Sequence, residues 1–314
     1  MTETKFLITG ATGDTGGYTV RPLLEENHAV RVLAHRPDQR SEQLQQAGAE
    51  VVFGDLLDFD SVRAALSGVN RAYFCYPISP GIVQATAQFA QAAKEARVEV
   101  IVNMSQISAR SDAKRNAARQ HWLSERVFDW SNIPTVHLRP TFFAEWLLYL
   151  APMIRQGKIF APFTTTGRHA PVAAEDQARV IVAILENPTA HAGKTYPLFG
   201  PIELTLPEIA AIISRVIGKE VTYEQVPIEK YAEIYGGRPK RPAQNTAMSM
   251  YSDPGAATGG SAKAFLMQHL HEVAIDHSNG IFAGTSNYIA EIGGRLPMTV
   301  EEFVAKNRAA FARP

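Results

Sequence analysis

Three glycines between a predicted strand and a predicted helix are the residues that most directly indicate chemistry. Gly10, Gly13 and Gly16 follow an apolar run at 6–9 and precede the apolar positions of a helix at 20–24. In such a unit the first glycine allows a tight turn, the second admits a pyrophosphate, and the third lets the helix pack on the sheet. The helix N-terminus adds unpaired N–H groups and partial positive charge. The segment predicts a dinucleotide site.

The spacing of these glycines is GxxGxxG rather than GxGxxG, which resembles the short-chain dehydrogenase/reductase superfamily. We expect the whole turn to contact the cofactor. Its predicted binding residues are Gly10, Thr12, Gly13, Asp14, Thr15 and Gly16.

The end of the second predicted strand, at 29–34, indicates which dinucleotide binds. NAD sites place an acidic residue about 20 positions after the glycines, where it accepts the ribose hydroxyls. Arg36 stands 20 positions after Gly16, and no carboxylate occurs between the strand and Asp38. An arginine suits a 2′-phosphate, so we predict NADPH over NADH. The alternative is a solvated surface arginine.

Alternating strands and helices must position these residues. The pattern predicts an α/β protein, a Rossmann-type doubly wound parallel sheet with a smaller C-terminal α/β lobe. We expect residues 1–150 to form the NADP-binding domain, which also receives later strands, and residues 151–314 mainly to form a lobe that covers the substrate. The predicted strands lie at 29–34, 50–53, 71–76 and 98–104, and the predicted helices at 42–47, 59–66, 82–96 and 116–130.

Ligands of such sheets gather at the carboxyl ends of the strands. After the third strand, Asp55 and Leu56 are expected to lie beside the adenine ring, and the alternative for them is a cap on the helix at 59–66. The later strands end at Tyr76, Pro77, Ile78, Met104, Ser105 and Gln106. Of these, we expect Tyr76, Pro77 and Ser105 to contact the cofactor.

The helix at 116–130 decides the catalytic chemistry. Ordinary short-chain dehydrogenases use a tyrosine and a lysine spaced YxxxK, in which the lysine lowers the tyrosine's pKa. This segment contains neither residue, and Ala117 and His121 occupy the spacing instead. The sequence therefore predicts the cofactor half of a dehydrogenase without its usual acid.

Composition excludes several other classes of function. The 314 residues carry no net charge and are 46% hydrophobic, which does not favour a nucleic-acid partner. No apolar run is long enough to span a bilayer and Met1 leads directly into the first strand, so we expect a cytoplasmic protein. Cys75 is interpreted as a buried small residue, and the histidine spacing predicts no metal site.

Several segments together resemble the NmrA-like group of atypical short-chain dehydrogenases. They are the glycine turn, Arg36, Gly54 with Asp55, His121 with Glu125 in the spacing HxxxE, and IPTVHLRPTFF at 133–143. The resemblance implies an extended Rossmann domain, bound NADPH and a covering lobe. Within the group the chain is most similar to flavin-free azo-dye and triphenylmethane reductases, and then to NADPH quinone reductases. The resemblance also implies that His121 is catalytic and reaches the nicotinamide ribose. The alternative is a surface histidine bonded to Glu125.

An electron-poor aromatic acceptor can take hydride from NADPH without an enzymic acid, provided that the protein holds it flat on the nicotinamide. Aromatic side chains follow the sixth strand. We assign Phe143 to the cofactor and Phe142, Trp146 and Phe163 to the substrate, with Phe160 nearby. The alternative is a core stripe of Phe142, Trp146 and Tyr149, and Tyr149 is the member that we expect to be core.

The rest of the chain predicts an apolar helix over 144–157, capping boxes at Thr205 and Thr299, and helices at 262–275 and 299–311. The glycine- and proline-rich segment 236–260 is interpreted as a lid, or alternatively as a plain surface loop.

The sequence as a whole predicts an NADPH-dependent reductase of azo compounds that acts without flavin, as a monomer or homodimer. The alternatives are a quinone reductase and an NADP(H) sensor that docks to regulatory partners.

Overall fold

The computed structural model describes residues 4–236 and 261–312. Its main sheet has seven parallel strands in the order β3-β2-β1-β4-β5-β6-β8, and β7 pairs with β9 in a separate sheet. The strands are β1 Lys5–Thr9, β2 Ala29–Ala34, β3 Glu50–Phe53, β4 Arg71–Phe74, β5 Val100–Met104, β6 Thr135–Pro140, β7 Lys158–Ala161, β8 Thr195–Leu198 and β9 Thr222–Gln225.

Helices connect these strands and follow the last of them. They are α1 Asp14–Glu25, α2 Gln39–Gln46, α3 Phe59–Leu66, α4 Ile82–Glu95, α5 Asn116–Trp130, α6 Trp146–Tyr149, α7 Ala151–Ile154, α8 Ala174–Glu186, α9 Leu206–Ile217, α10 Ile228–Gly236, α11 Ser261–Ser278, α12 Tyr288–Gly293, α13 Val300–Lys306 and α14 Arg308–Ala312.

Helices cover both faces of the main sheet, which confirms the predicted doubly wound fold. On one face, α1 and α8 pack against the sheet through residues such as Leu23 and Ile181. On the other, Phe89 of α4 and Phe128 of α5 both contact Phe74 of β4, with ring centroids 4.9 and 5.2 Å apart. Because both faces are covered, the central strands β1 and β5 are mainly apolar and almost fully buried.

The strand order reverses between β1 and β4, and this position fixes where a ligand can bind. From β1 the chain proceeds outward through β2 and β3, and then returns to place β4 on the other side of β1. The helices that follow β1 and β4 therefore lie on opposite faces and leave a crevice at the carboxyl ends of these two strands. The glycine turn begins at this point.

A second apolar cluster lies away from the main sheet. It joins β7 and β9 to α6, α7, α9, α13 and α14, and its buried members include Ile159, Ile213 and Phe303. Strand β8 nevertheless returns to the main sheet beside β6. The division at residue 150 remains a prediction.

The apolar stretch after β6 differs from its prediction. We expected one helix over 144–157, but the chain forms two short helices, α6 and α7. Pro152 lies in the first turn of α7 and has no N–H to bond the carbonyl of Leu148, so the helix cannot continue.

Two further differences occur near the C-terminus. The helix predicted over 299–311 ends at Lys306 and resumes at Arg308, and the short helix α12 was not predicted. Most of the segment interpreted as a lid, residues 237–260, lies outside the described part of the chain.

Both predicted capping boxes are present. Thr205 caps α9 through the N–H of Glu208, whose carboxylate bonds back to the N–H of Thr205, and Thr299 with Glu302 repeats this at α13. These caps fix the starts of two helices that pack against each other.

Replacing Thr205 by alanine should lower the free energy of unfolding by about 1 kcal/mol, because the N–H of Glu208 loses its acceptor. Urea denaturation measures the change. Thr165→Ala is the matched control, since Thr165 is exposed and lies outside any helix, and it should stay within about 0.5 kcal/mol of the parent. Equal effects of the two substitutions would contradict the capping role.

Candidate active site

Two glycines of the turn occupy positions where a side chain would be strained or would clash. Gly10 has φ of +64°, and a Cβ there would lie 3.3 Å from the Cβ of Cys75, which follows β4. A Cβ on Gly16 would lie 2.5 Å from the carbonyl oxygen of Gly10. The start of α1 therefore rests directly on the turn, at the crevice between β1 and β4.

The first turn of α1 is arranged to leave its backbone donors to a ligand. Gly13 is the N-cap residue and supplies no side-chain cap. Thr15 is buried, and its hydroxyl lies 3.0 Å from the hydroxyl of Tyr73 on β4. Asp14 is also buried and Thr12 is half-buried. An anion at this helix start would meet backbone N–H groups and the positive end of the helix dipole.

Two arginines follow β2 beside the glycine turn. Arg36 is exposed, directly after the strand. Arg40 bonds the carboxylate of Asp38, the residue that caps α2, and donates to the carbonyl oxygen of Thr12 at 3.2 Å. Arg40 thus ties the start of α2 to the turn. Cationic groups at the end of β2 suit an anion on the ribose of a dinucleotide.

Asp55 and Leu56 lie after β3, two strands away from the crevice. Asp55 accepts the N–H of Leu57 at 2.9 Å and lies 3.6 Å from His35. The helix-cap alternative for Asp55 is wrong, because Asp58 caps α3. The adenine assignment remains a prediction.

A cavity of about 280 Å³ opens between the loop after β4 and the start of α5. Among the predicted site residues it includes Pro77 and His121. Tyr76 lies at the base of the same loop and donates its hydroxyl to the carbonyl of Pro80 at 2.8 Å. The residues that line the cavity are Pro77, Ile78, Ser79, Pro80, Gly81, Ile82, Asn116, Ala117, Gln120, His121 and His269.

Ser105, at the end of β5, belongs to a buried ionic network that we did not predict. Its hydroxyl donates to the carboxylate of Glu125 at 2.6 Å, and Arg139 of β6 donates to both oxygens of the same carboxylate. Glu125 is fully buried, and its bond to Arg139 raises the pKa of that guanidinium. Because the hydroxyl proton of Ser105 is committed to Glu125, Ser105 offers a ligand only its lone pairs.

This network changes the interpretation of the HxxxE spacing. We considered a bond between His121 and Glu125, but in the described residues Glu125 contacts Ser105, Arg139 and, at 3.6 Å, Arg126. The signal that sequence reasoning missed was a pair of opposite charges, Glu125 on α5 and Arg139 on β6, the strand that follows this helix.

His121 faces the cavity together with His269 of α11. Burial, and then repulsion from His269, lower the pKa of His121 to about 4, and burial likewise lowers the pKa of His269 to about 4. Both imidazoles are therefore neutral near pH 7. Each carries one N–H donor and one acceptor nitrogen.

The three aromatic residues assigned to the substrate are brought together. The ring centroids of Phe142 lie 5.8 Å from Trp146 and 5.3 Å from Phe163, and Trp146 lies 5.4 Å from Phe163. Phe163 is only 1% exposed, whereas the other two are half-buried. None of the three is among the described residues that line the cavity. Their role as a substrate wall remains a prediction.

Two other aromatic residues of the prediction, Phe143 and Tyr149, have different surroundings. Phe143 is half-buried against the core beneath α1 and α8 and forms an isolated bridge with Val172. Tyr149, which we expected in the core, is half-buried.

A second carboxyl group lies close to the glycine turn. Glu145 is 5% exposed, and both of its oxygens accept the N–H of Ala174 at 3.0 Å, at the start of α8. Burial, and then the negative charge of Asp14, raise the pKa of Glu145 to about 8. At neutral pH this carboxyl group is therefore largely protonated.

Two observations concern ligands other than a nucleotide. In residues 4–236 and 261–312, Glu26, His28 and Glu186 form a group whose potential metal-ligating atoms lie within 4.8 Å of one another. No helix in the same ranges is long and apolar enough to cross a bilayer.

Comparison with known proteins gives consistent matches. The model of the NmrA-like family matches residues 2–291. The sequence is 28% identical to the NAD(P)H azoreductase of Xenophilus azovorans over 97% of this chain and 98% of that protein.

Two solved structures share the fold. The NADPH-dependent quinone oxidoreductase of Escherichia coli, complexed with NADPH, is 23% identical with a TM-score of 0.79 over 96% of this chain and 99% of the other. NmrA, a negative transcriptional regulator in complex with NADP, is 16% identical with a TM-score of 0.76 over 98% of this chain and 95% of the other. Dinucleotide complexes therefore occur among proteins of this architecture.

The raised pKa of Glu145 predicts a pH-dependent stability. The folded protein favours the protonated carboxyl group, so its contribution is complete below pH 4.5, the ordinary value, and is lost as the pH rises toward about 8. Glu145→Gln keeps an oxygen for the N–H of Ala174 and cannot ionise. It should stabilise the protein by on the order of 3 kcal/mol near pH 8 and by almost nothing below pH 4.5.

Urea denaturation at the two pH values measures this difference. Glu229→Gln, which alters an exposed residue at the start of α10, is the control; it removes a favourable interaction with the helix dipole, so it should destabilise the protein by less than about 1 kcal/mol near pH 8 and by less at low pH. A Glu145→Gln variant with the same effect at both pH values would contradict the prediction.

Proposed function

The chain belongs to the NmrA-like family, and from this premise we propose that it is an NADPH-dependent oxidoreductase that transfers hydride directly to aromatic acceptors, above all to azo compounds. The observation that carries the proposal is the position of the cavity. It opens between the loop after β4 and the start of α5, and β4 borders the crevice at which the glycine turn begins. A cofactor bound at the turn would lie at the carboxyl ends of β1 and β4, beside the loop that forms one wall of this cavity.

The residues of the turn fit a dinucleotide. A side chain at Gly16 would meet the backbone of Gly10, and the first turn of α1 has no side-chain cap at Gly13. These features would hold a pyrophosphate close to the helix N-terminus. Arg36, which is exposed after β2, would bind a 2′-phosphate, and NADPH is the cofactor.

Bound NADPH supplies the hydride, and the chain's own residues supply position. Ser105 presents lone pairs at the end of β5, which suit a donor such as a hydroxyl or an amide N–H of the cofactor. His121 is a neutral imidazole in the cavity wall. The helix has neither tyrosine nor lysine at the usual catalytic positions, so an acceptor that is already electron-poor is required.

Azo compounds are our first choice of acceptor because the azoreductase of Xenophilus azovorans aligns over nearly the whole of both chains. A quinone is the second, supported by the shared fold of the Escherichia coli quinone oxidoreductase. A non-catalytic NADP(H) sensor is the third. The fold of the NmrA regulator and the missing YxxxK pair favour this alternative.

Turnover separates these functions. Purified protein mixed with NADPH and an azo dye in anaerobic buffer should consume about two NADPH for each azo bond, because cleavage to two amines takes two hydrides and two protons. The absorbances of NADPH and dye measure the ratio, and the protein alone should show no flavin absorbance. Consumption with quinones only would replace the azo assignment. NADPH binding without consumption of any acceptor would favour the sensor.

Arg36→Ala should weaken NADPH binding by roughly 10- to 100-fold and leave NADH binding unchanged, because only NADPH carries the 2′-phosphate. Fluorescence titration with each cofactor measures this. Arg21→Ala is the control, since Arg21 is an exposed arginine on α1 that pairs with Glu25. If Arg36→Ala leaves the preference between the two cofactors intact, Arg36 is a solvated surface residue.

A further inference from the structure

The cavity contains a second imidazole, that of His269, which the proposed hydride transfer leaves without a role. His269 lies on α11, far from the glycine turn in sequence, and is 8% exposed. It lines the cavity opposite the loop after β4, together with His121. The two rings are close enough for a positive charge on His269 to lower the pKa of His121.

The ring nitrogens of His269 have no internal partner in the described part of the chain. Nδ1 is buried and makes no hydrogen bond. Among residues 4–236 and 261–312, none bonds Nε2 either, and His269 is one of the residues that line the cavity. A buried polar atom without a partner is costly, and such atoms occur at sites that bind ligands.

The tautomer follows from this asymmetry. Buried N–H groups without an acceptor are rarer than buried acceptors without a donor, so the proton is favoured on Nε2. Nδ1 then keeps only a lone pair in the apolar interior. The cavity wall at His269 consequently offers a neutral N–H donor.

Contacts of two buried carboxylates fix the position of the helix that carries His269. Glu272, one turn after His269, accepts the N–H of Ala117 at 3.0 Å, at the start of α5. Asp276, one turn further, pairs with Arg110 at 3.1 Å. Both carboxylates are buried, so α11 is held against α5 and the loop before it. His269 therefore has a defined position relative to His121.

We propose that His269 is a specificity-determining residue that donates its Nε2–H to a hydrogen-bond acceptor on the substrate, such as a quinone oxygen or an azo nitrogen. This inference rests on the proposed function and narrows its substrate class. A neutral donor favours neutral molecules with an acceptor atom at the ring. A triarylmethyl cation has no acceptor at its reacting carbon and gains nothing from His269.

Binding to the oxidised cofactor complex tests the inference without turnover. Protein saturated with NADP⁺ is titrated with 1,4-naphthoquinone and followed by quenching of tryptophan fluorescence. His269→Phe retains an aromatic ring without a donor and should weaken naphthoquinone binding by about tenfold, the effect of one hydrogen bond. His269→Gln retains an N–H donor and should recover part of the loss.

The control is His271→Phe, which makes the same substitution at an exposed position of α11 and should leave binding unchanged. Near-ultraviolet circular dichroism and NADP⁺ affinity should match the parent in every variant. In turnover, His269→Phe should raise the KM for naphthoquinone and leave that for NADPH unaltered.

Binding and turnover measurements distinguish failure of the role of His269 from failure of the proposed reductase function. Equal naphthoquinone affinity in the parent and His269→Phe, or no binding by the parent, would overturn the role of His269. Failure of the parent to oxidise NADPH with any acceptor would overturn the reductase while the binding comparison still decides the role of His269. If His269→Phe does not fold, His269→Gln and His269→Leu provide the same comparison of donor and no donor.

Discussion

The contact between the start of α1 and the glycine turn is the constraint on which the site depends. Because Gly16 lies against the carbonyl of Gly10, the helix N-terminus approaches the sheet as closely as two backbones allow. The turn occurs where the strand order reverses, so the helices on either side diverge and leave a crevice. A helix dipole, an uncapped first turn and an open crevice thus coincide, and an anionic dinucleotide fits all three.

The electrostatics of the site follow from burial. Glu125 accepts hydrogen bonds from the guanidinium of Arg139 and from the hydroxyl of Ser105. In the part of the chain that the structure describes, Glu145 bonds the N–H of Ala174 rather than a cationic side chain, and burial raises its pKa. Burial also disfavours the charged form of His121, so its pKa falls and the imidazole is neutral. The two imidazoles of the cavity are therefore neutral and the charge of Glu125 is paired with that of Arg139, which suits an uncharged acceptor.

Local patterns predicted most of the fold. The doubly wound sheet followed from apolar strands alternating with amphipathic helices, and both capping boxes followed from their spacing, because these features depend on residues close in sequence. The prediction of a single helix over 144–157 was wrong. It was based on the apolar composition of the segment and did not take account of Pro152, which interrupts the helix. Helix α12 gave no strong local signal.

The sequence by itself determined the glycine turn, the position of Arg36 after β2 and the missing catalytic tyrosine, since each is a matter of residue type at a fixed spacing. Only the tertiary structure decided that Glu125 bonds Ser105 and Arg139 rather than His121. It also brought His269 to the same cavity as His121, although 148 positions separate them in the chain. Such partners are set by the packing of α5 and α11, and packing between distant segments leaves no fixed spacing in a sequence.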